Sequence, residues 1–125
     1  MVQAKFRESI AWQKAMELTK AVYEVTSVFP KAEMFGLTNQ LRRASVSIAS
    51  NLAEGQGRLT KREFLHFPGV ARGSTLEVQT QLEIALMMGL GDAEQLHPAQ
   101  ELAEEVRRII SAAIATTRAK LKDSY

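Results

Sequence analysis

The chain has 125 residues, the length of one domain, and no cysteine, which excludes a disulfide framework, a thiolate nucleophile and a sulfur-based metal site. Lys5, Arg7 and Glu8 interrupt the opening segment, and no later run approaches the roughly 20 apolar residues of a membrane span, so a cytoplasmic setting is expected. The net charge of +2 is unevenly spread: residues 1–62 hold ten Lys and Arg against five acids, and residues 63–125 hold six against nine. That polarity suits either an anionic partner on one surface or protomers pairing head to tail.

Ala11, Ala15, Leu18, Val22, Val25 and Phe29 alternate spacings of four and three, which predicts a first helix over residues 9–29, opened by Ser9 as N-cap and stopped at Pro30. Leu37, Leu41, Ala44, Ile48 and Leu52 set the core stripe of a second helix over residues 37–54. Small residues crowd that stripe (Ala44, Ser45, Ser47, Ala49, Ser50, Ala53), so one face is built for close approach, and Gly55 and Gly57 are expected to end the helix. Arg42 and Arg43 lie about 100° apart around its axis and cannot both enter a core.

A third helix over residues 60–88 begins at the capping box Thr60-Lys61-Arg62-Glu63, with Phe64, Phe67, Ala71, Ser74, Val78, Ala85 and Met88 along its stripe. Pro68 falls about two turns in, where it removes one hydrogen bond and crowds the carbonyl of Phe64. Either a kink over residues 64–68, eased by Gly69, or a restart of the helix at Pro68 is expected. Gly89-Leu90-Gly91-Asp92 closes this helix, and a fourth, over residues 98–122, turns Ala99, Ala103, Val106, Ile110, Ala113 and Thr117 inward. No segment alternates like a strand. Four helices on short loops predict an all-α, antiparallel up-and-down four-helix bundle occupying residues 1–125 as one domain.

The segments GLTNQLRRASVSIASNLAEGQGR, REF and ARGSTLEVQTQLEIA, with the opening FRESIAWQKAMELTKAVYEVTSVFP, resemble the four-helix-bundle proteins encoded in 23S rRNA intervening sequences. The resemblance spans nearly the whole chain and weakens after about Gly91; Pro68 departs from it. The accessory variability proteins of diversity-generating retroelements share this bundle and are similarly close. Both groups imply a ring-shaped homo-oligomer, typically a pentamer, with a role in nucleic-acid binding rather than catalysis.

Catalytic constellations are weak. Glu63/His66 and Glu94/His97 have the Glu-x-x-His spacing of di-iron bundles. The two histidines, however, fall near the starts of successive antiparallel helices, roughly 30 Å apart at 1.5 Å per residue, and Pro98 is expected to keep Glu94 and His97 off a common helix. No metal, no cofactor and no enzyme are expected. Gly55, Gly57 and Arg58 lack the strand and the Lys-Ser or Lys-Thr of a phosphate loop. Thr60 and the free N–H groups of the third helix offer a phosphate contact, or else a solvated turn. Trp12, Tyr23, Met87 and Met88 read as core or subunit contacts.

The residues assigned to nucleic-acid binding are Arg42, Arg43, Arg58, Lys61, Arg62 and Arg72. Asn51, Glu54 and Ser74 are assigned to an interface or structural polar network, with Asn51 capping and a Glu54–Arg58 pair at i,i+4 as the plainer alternative. Two functions follow: a module that binds RNA or DNA electrostatically, or an assembly scaffold whose arginines bind neighbouring protomers or a protein partner such as a reverse transcriptase.

Overall fold

The computed structural model describes residues 2–123; Met1, Ser124 and Tyr125 lie outside the described residues. A 3-10 helix, Val2–Glu8, leads into four long helices: α1 (Ile10–Thr26), α2 (Leu37–Gln56), α3 (Lys61–Met88) and α4 (Ala93–Asp123). A short 3-10 turn, Lys31–Glu33, sits between α1 and α2, and the described residues contain no strand. The protein is all-α.

Ser9 caps α1 as its sequence position suggests, its hydroxyl accepting the Trp12 N–H at 3.2 Å. The helix stops at Thr26 rather than continuing to Phe29: Ser27 N–H bonds the Tyr23 and Glu24 carbonyls and Phe29 N–H bonds Thr26, tightening the chain ahead of Pro30. Phe29 nevertheless reaches the core, where it is buried against the turn after α3.

α2 passes through Gly55 and ends at Gln56. Gly55 is therefore not the stop expected of it. It is buried inside the helix, and a Cβ there would stand 3.1 Å from Phe67 Cβ and 3.5 Å from Pro68 Cδ. Its missing side chain lets α2 and α3 approach. Gly57 caps the helix at φ −86°, a conformation open to any residue.

The capping box of α3 forms in full, with Glu63 N–H on Thr60 Oγ1 at 3.1 Å and Thr60 N–H on Glu63 Oε2 at 3.2 Å. The helix does not restart at Pro68. It runs continuously from Lys61 to Met88 with Pro68 buried inside it. A proline inside a helix costs about 3 kcal/mol through the lost hydrogen bond and the crowded carbonyl together, and burial of Pro68 beside Gly55 offsets part of it. α3 ends at Gly89, in the left-handed conformation (φ 69°), with Leu90 N–H reaching back to the Ala85 carbonyl at 2.9 Å.

α4 starts five residues earlier than its proline suggests. Asp92 Oδ1 accepts the Glu94 N–H at 3.0 Å and the Asp92 carbonyl accepts the Leu96 N–H at 2.9 Å, so Asp92 opens the helix and Pro98 falls inside it. Pro98 lies beyond the first turn, two residues after Leu96, whose N–H already bonds back to Asp92, so it leaves the Glu94 carbonyl without its i+4 donor while the helix continues.

Each helix packs on its sequence neighbours, and α1 also packs on α4, so the four surround a common core. Leu18, Val22, Leu41, Ile48, Val78, Leu82, Val106 and Ile110 are sealed within it. Partners run in opposite order along each pair: Gln40 meets Gln81 and Ser47 meets Ser74 between α2 and α3, while Gln79 meets Glu104 and Glu83 meets Gln100 between α3 and α4. Among the described residues no helix is long and apolar enough to cross a membrane.

Candidate functional site

The two adjacent arginines of α2 have separate fates. Arg42 lies in the α1–α2 seam, where its Nε donates to Thr26 Oγ1 at 2.9 Å and its guanidinium stacks 4.7 Å from the centre of the Tyr23 ring. Thr26 is buried and gives its own hydroxyl proton to the Val22 carbonyl at 2.7 Å, so Arg42 satisfies the oxygen's remaining capacity. Arg43 stands exposed on the outer ridge of α2.

The expected polar network forms in part. Asn51 does not cap α2; its Nδ2 donates to the Ser47 carbonyl at 2.9 Å and to Ser47 Oγ at 3.1 Å. Ser47 and Ser74 share a hydrogen bond of 2.9 Å across the α2–α3 contact, so Asn51 and Ser74 are joined through Ser47. Glu54 is not a member: it faces solvent and holds Arg58 at 2.6 Å. Beside the network lies a polar notch lined by Gln40, Arg43, Ser47, Ser74, Glu77 and Gln81. Gln81 donates to Gln40 over a long 3.4 Å, and its own Oε1 is buried without a partner.

A third group lies at one end of the molecule. Arg58, just past α2, bridges to Glu54 and lies 4.4 Å from the centre of the Phe67 ring; Lys61 and Arg62 open α3, and all three are exposed. Arg72 is half-buried about three turns further along α3, apart from them. The register of α3 against α4 brings the last turns of α4 beside the first turns of α3, adding Arg118, Lys120 and Lys122. The opening 3-10 helix packs on α1 and α2 and adds Lys5 and Arg7.

Eight exposed cations thus meet Glu8, Glu54 and Glu63 among the described side chains at this end. Five of the eight escape sequence reasoning, because they come from the two ends of the chain and only the register unites them. The phosphate contact considered at Thr60 is already occupied. Glu63 Oε2 accepts both the Thr60 N–H and its hydroxyl (3.0 Å), placing an anion of the chain's own where a phosphate would sit.

On the α3–α4 side carboxylates outnumber cations, in a groove of about 1050 Å³ lined by Glu83, Glu101, Glu104 and Glu105 with Gln79, Gln100 and the single cation Arg108. The Arg107 guanidinium, bonding Glu104 through Nε at 2.7 Å and a second nitrogen at 2.8 Å, together with Gln79, holds the Glu104 carboxyl well below its usual range, at about 2. Lys14 of α1 bonds Glu105 at 3.1 Å, which raises the lysine above its ordinary value.

Because α4 begins at Ala93, Glu94 and His97 do share a helix, contrary to the expectation from Pro98. Among the described residues no group of three or more His, Asp or Glu side chains is placed to hold a metal ion.

Residues 7–112 match the family model of the 23S rRNA-intervening sequence protein. A solved structure from Bacteroides thetaiotaomicron VPI-5482, described as a protein with unknown function from the S23 ribosomal protein family, is similar in fold. Its TM-score is 0.75 at 18% identity, over 84% of this chain and 98% of that one. No curated protein matches the chain.

Proposed function

Because the chain belongs to the 23S rRNA-intervening sequence protein family, we propose that it is a non-catalytic nucleic-acid-binding protein that works as an assembly of identical copies. Each copy is an antiparallel up-and-down bundle, a reading supported by the opposite order of contact partners along its helix pairs. The assembly is a ring, five-membered in the form that the family resemblance implies.

The observation that carries the binding function is the basic end, where Lys5, Arg7, Arg58, Lys61, Arg62, Arg118, Lys120 and Lys122 face solvent together. Cations spread over a helix end suit a phosphate backbone, and each phosphate neutralised releases counterions, so affinity falls steeply with salt. Few aromatic rings are exposed near them, so base stacking adds little and sequence preference is weak. The test is fluorescence anisotropy of a labelled single-stranded RNA and a DNA of the same sequence, titrated at increasing salt. Binding that vanishes in Lys61→Glu/Lys122→Glu supports the assignment; unchanged binding by that folded variant removes it.

A second reading, an accessory scaffold for a protein partner such as a reverse transcriptase, would have its arginines bind that partner, and Arg42 gives it no support. That arginine is engaged within its own chain rather than offered to phosphate.

A further inference from the structure

We propose that the end of the bundle opposite the basic one docks an amphipathic helix of another protein, with apolar residues along one face and Lys or Arg along its borders. The inference stands apart from the nucleic-acid reading, whose surface lies at the other end.

Two connections meet at this end. The Gln40–Gln81 contact sets the start of α2 beside the last turns of α3, and Phe29 packs on Gly91, so the chain between α1 and α2 lies against the chain between α3 and α4. α3 spans 28 residues, which puts this end roughly 40 Å from Lys61 and Arg62.

The surface here is apolar. Phe35 is 95% exposed, Met87 and Met88 are 77% and 63% exposed, and Val28 and Met34 stand open in the same segments. These five side chains add little to the core of their own chain, and apolar side chains gathered at one place on a surface mark a contact. Three of them are methionines, unbranched and polarizable, which adapt to the side chains of a partner. A recess of about 330 Å³ opens between α1 and α4 at this end, walled by Val25, Pro98, Ala99 and Leu102 and carrying Glu24 and Glu94. It offers a seat for one anchoring side chain.

Charge identifies the occupant. Residues 23–40 and 85–97 hold Glu24, Glu33, Asp92 and Glu94 against Lys31. Glu33 and Asp92 each turn one oxygen to a backbone N–H, whereas the exposed Glu24 and Glu94 bond no cation among the described residues. Carboxylates around methionines and an aromatic ring match a basic amphipathic helix. The described residues contain no strand whose edge could take an extended peptide instead. The basic end of a second copy would match the charge but not the apolar area, since Ile10 and Leu59 are the strongly exposed apolar side chains there.

The test is fluorescence anisotropy of a labelled synthetic peptide of leucine and lysine, patterned as a helix with one apolar face. It is titrated with the wild type, Phe35→Ser/Met87→Ser, Glu24→Gln/Glu94→Gln, and Glu83→Gln/Glu101→Gln, the last altering the acidic groove between α3 and α4. Helical content is followed by circular dichroism and assembly mass by light scattering. The expected result is binding by the wild type and by the groove variant, and roughly tenfold weaker binding by the other two at unchanged mass. A peptide of leucine and glutamate with the same pattern should not bind. No binding by the wild type, or undiminished binding by either of the first two variants, overturns the proposal. So does a fall in assembly mass for Phe35→Ser/Met87→Ser, which would show a second copy covering this end. Should that variant lose helix, Phe35→Ala reports the same outcomes in its place.

Discussion

The hydroxyls of Ser47 and Ser74 share one hydrogen bond of 2.9 Å between α2 and α3, and Asn51 adds its amide to the same Ser47 oxygen at 3.1 Å. Ser47 is the hinge of this network, so Ser47→Ala strands the hydroxyl of Ser74, which is only 6% exposed. The expected loss is about 1–2 kcal/mol of unfolding free energy, read from urea denaturation. Adding Ser74→Ala should cost less than the two single changes summed, as for any pair sharing one bond.

Gly91 adopts φ +68°, and a Cβ there would stand 2.7 Å from Phe29 Cε1. Gly91→Ala therefore combines a left-handed backbone with a clash against a core ring. The expected cost is about 2–4 kcal/mol, seen as a lowered thermal midpoint. Gly73→Ala is the opposite case, in the helical interior with open space around it. It should stabilise the isolated chain by roughly 0.5–1 kcal/mol.

Adjacent charges should respond differently to reversal. Arg42→Glu loses the bond to the buried Thr26 and the stacking on Tyr23, and is expected to destabilise the fold by about 1–3 kcal/mol. Arg43→Glu changes an exposed position and should leave the unfolding midpoint of the dissociated chain within about 0.5 kcal/mol of wild type. Equal destabilisation by the two would contradict their separate placement.

Glu104 supplies a pH signature. Its folded carboxyl titrates at about 2, below the ordinary 4.5, because Arg107 and Gln79 bond the charged form. A depressed acid contributes stability that is complete above the unfolded value and is lost as pH falls toward the folded one. The thermal midpoint of the wild type should drop between pH 4.5 and 2 more than that of Glu104→Gln, with the two curves parallel above pH 6. Curves parallel down to pH 2 would deny the interaction.

Binding of RNA, if it resides at the basic end, should lose affinity on raising salt with a log–log slope that shrinks by about one for each phosphate-contacting cation removed. Lys122→Ala and Lys61→Ala should each reduce that slope, and Arg42→Lys should not. Anisotropy titrations at four salt concentrations read it directly.

The helices were legible because their stripes are regular: Leu18, Leu41, Val78 and Ile110 sit where a spacing of three and four places them. Boundaries were legible where a side chain sets the cap, as at Ser9 and Thr60, where a glycine ends the helix, as at Gly89, and at the start of α2 after Gly36. Prolines misled, since Pro98 lies inside a helix opened by Asp92, and Pro68 survives in mid-helix beside Gly55. Site residues were hardest to read. Arg42 was visible as a charge, but its partner Thr26 lies sixteen residues away on another helix. The contributions of Lys5, Arg7, Arg118, Lys120 and Lys122 exist only because distant segments end at the same place.

Gly55 bears on how this sequence can drift. The atom nearest to the place of its missing side chain is the Cβ of Phe67, at 3.1 Å, an atom that every residue except glycine possesses. Changing Phe67 to a smaller neighbour therefore does not release Gly55, and neither does replacing Pro68, whose Cδ stands farther off at 3.5 Å. Descendants of this chain that trade away the aromatic ring or the proline still meet the same obstacle at position 55. They can gain a side chain at 55 only by moving α2 and α3 apart by a few tenths of an ångström, a shift that the Ser47–Ser74 bond two turns away resists.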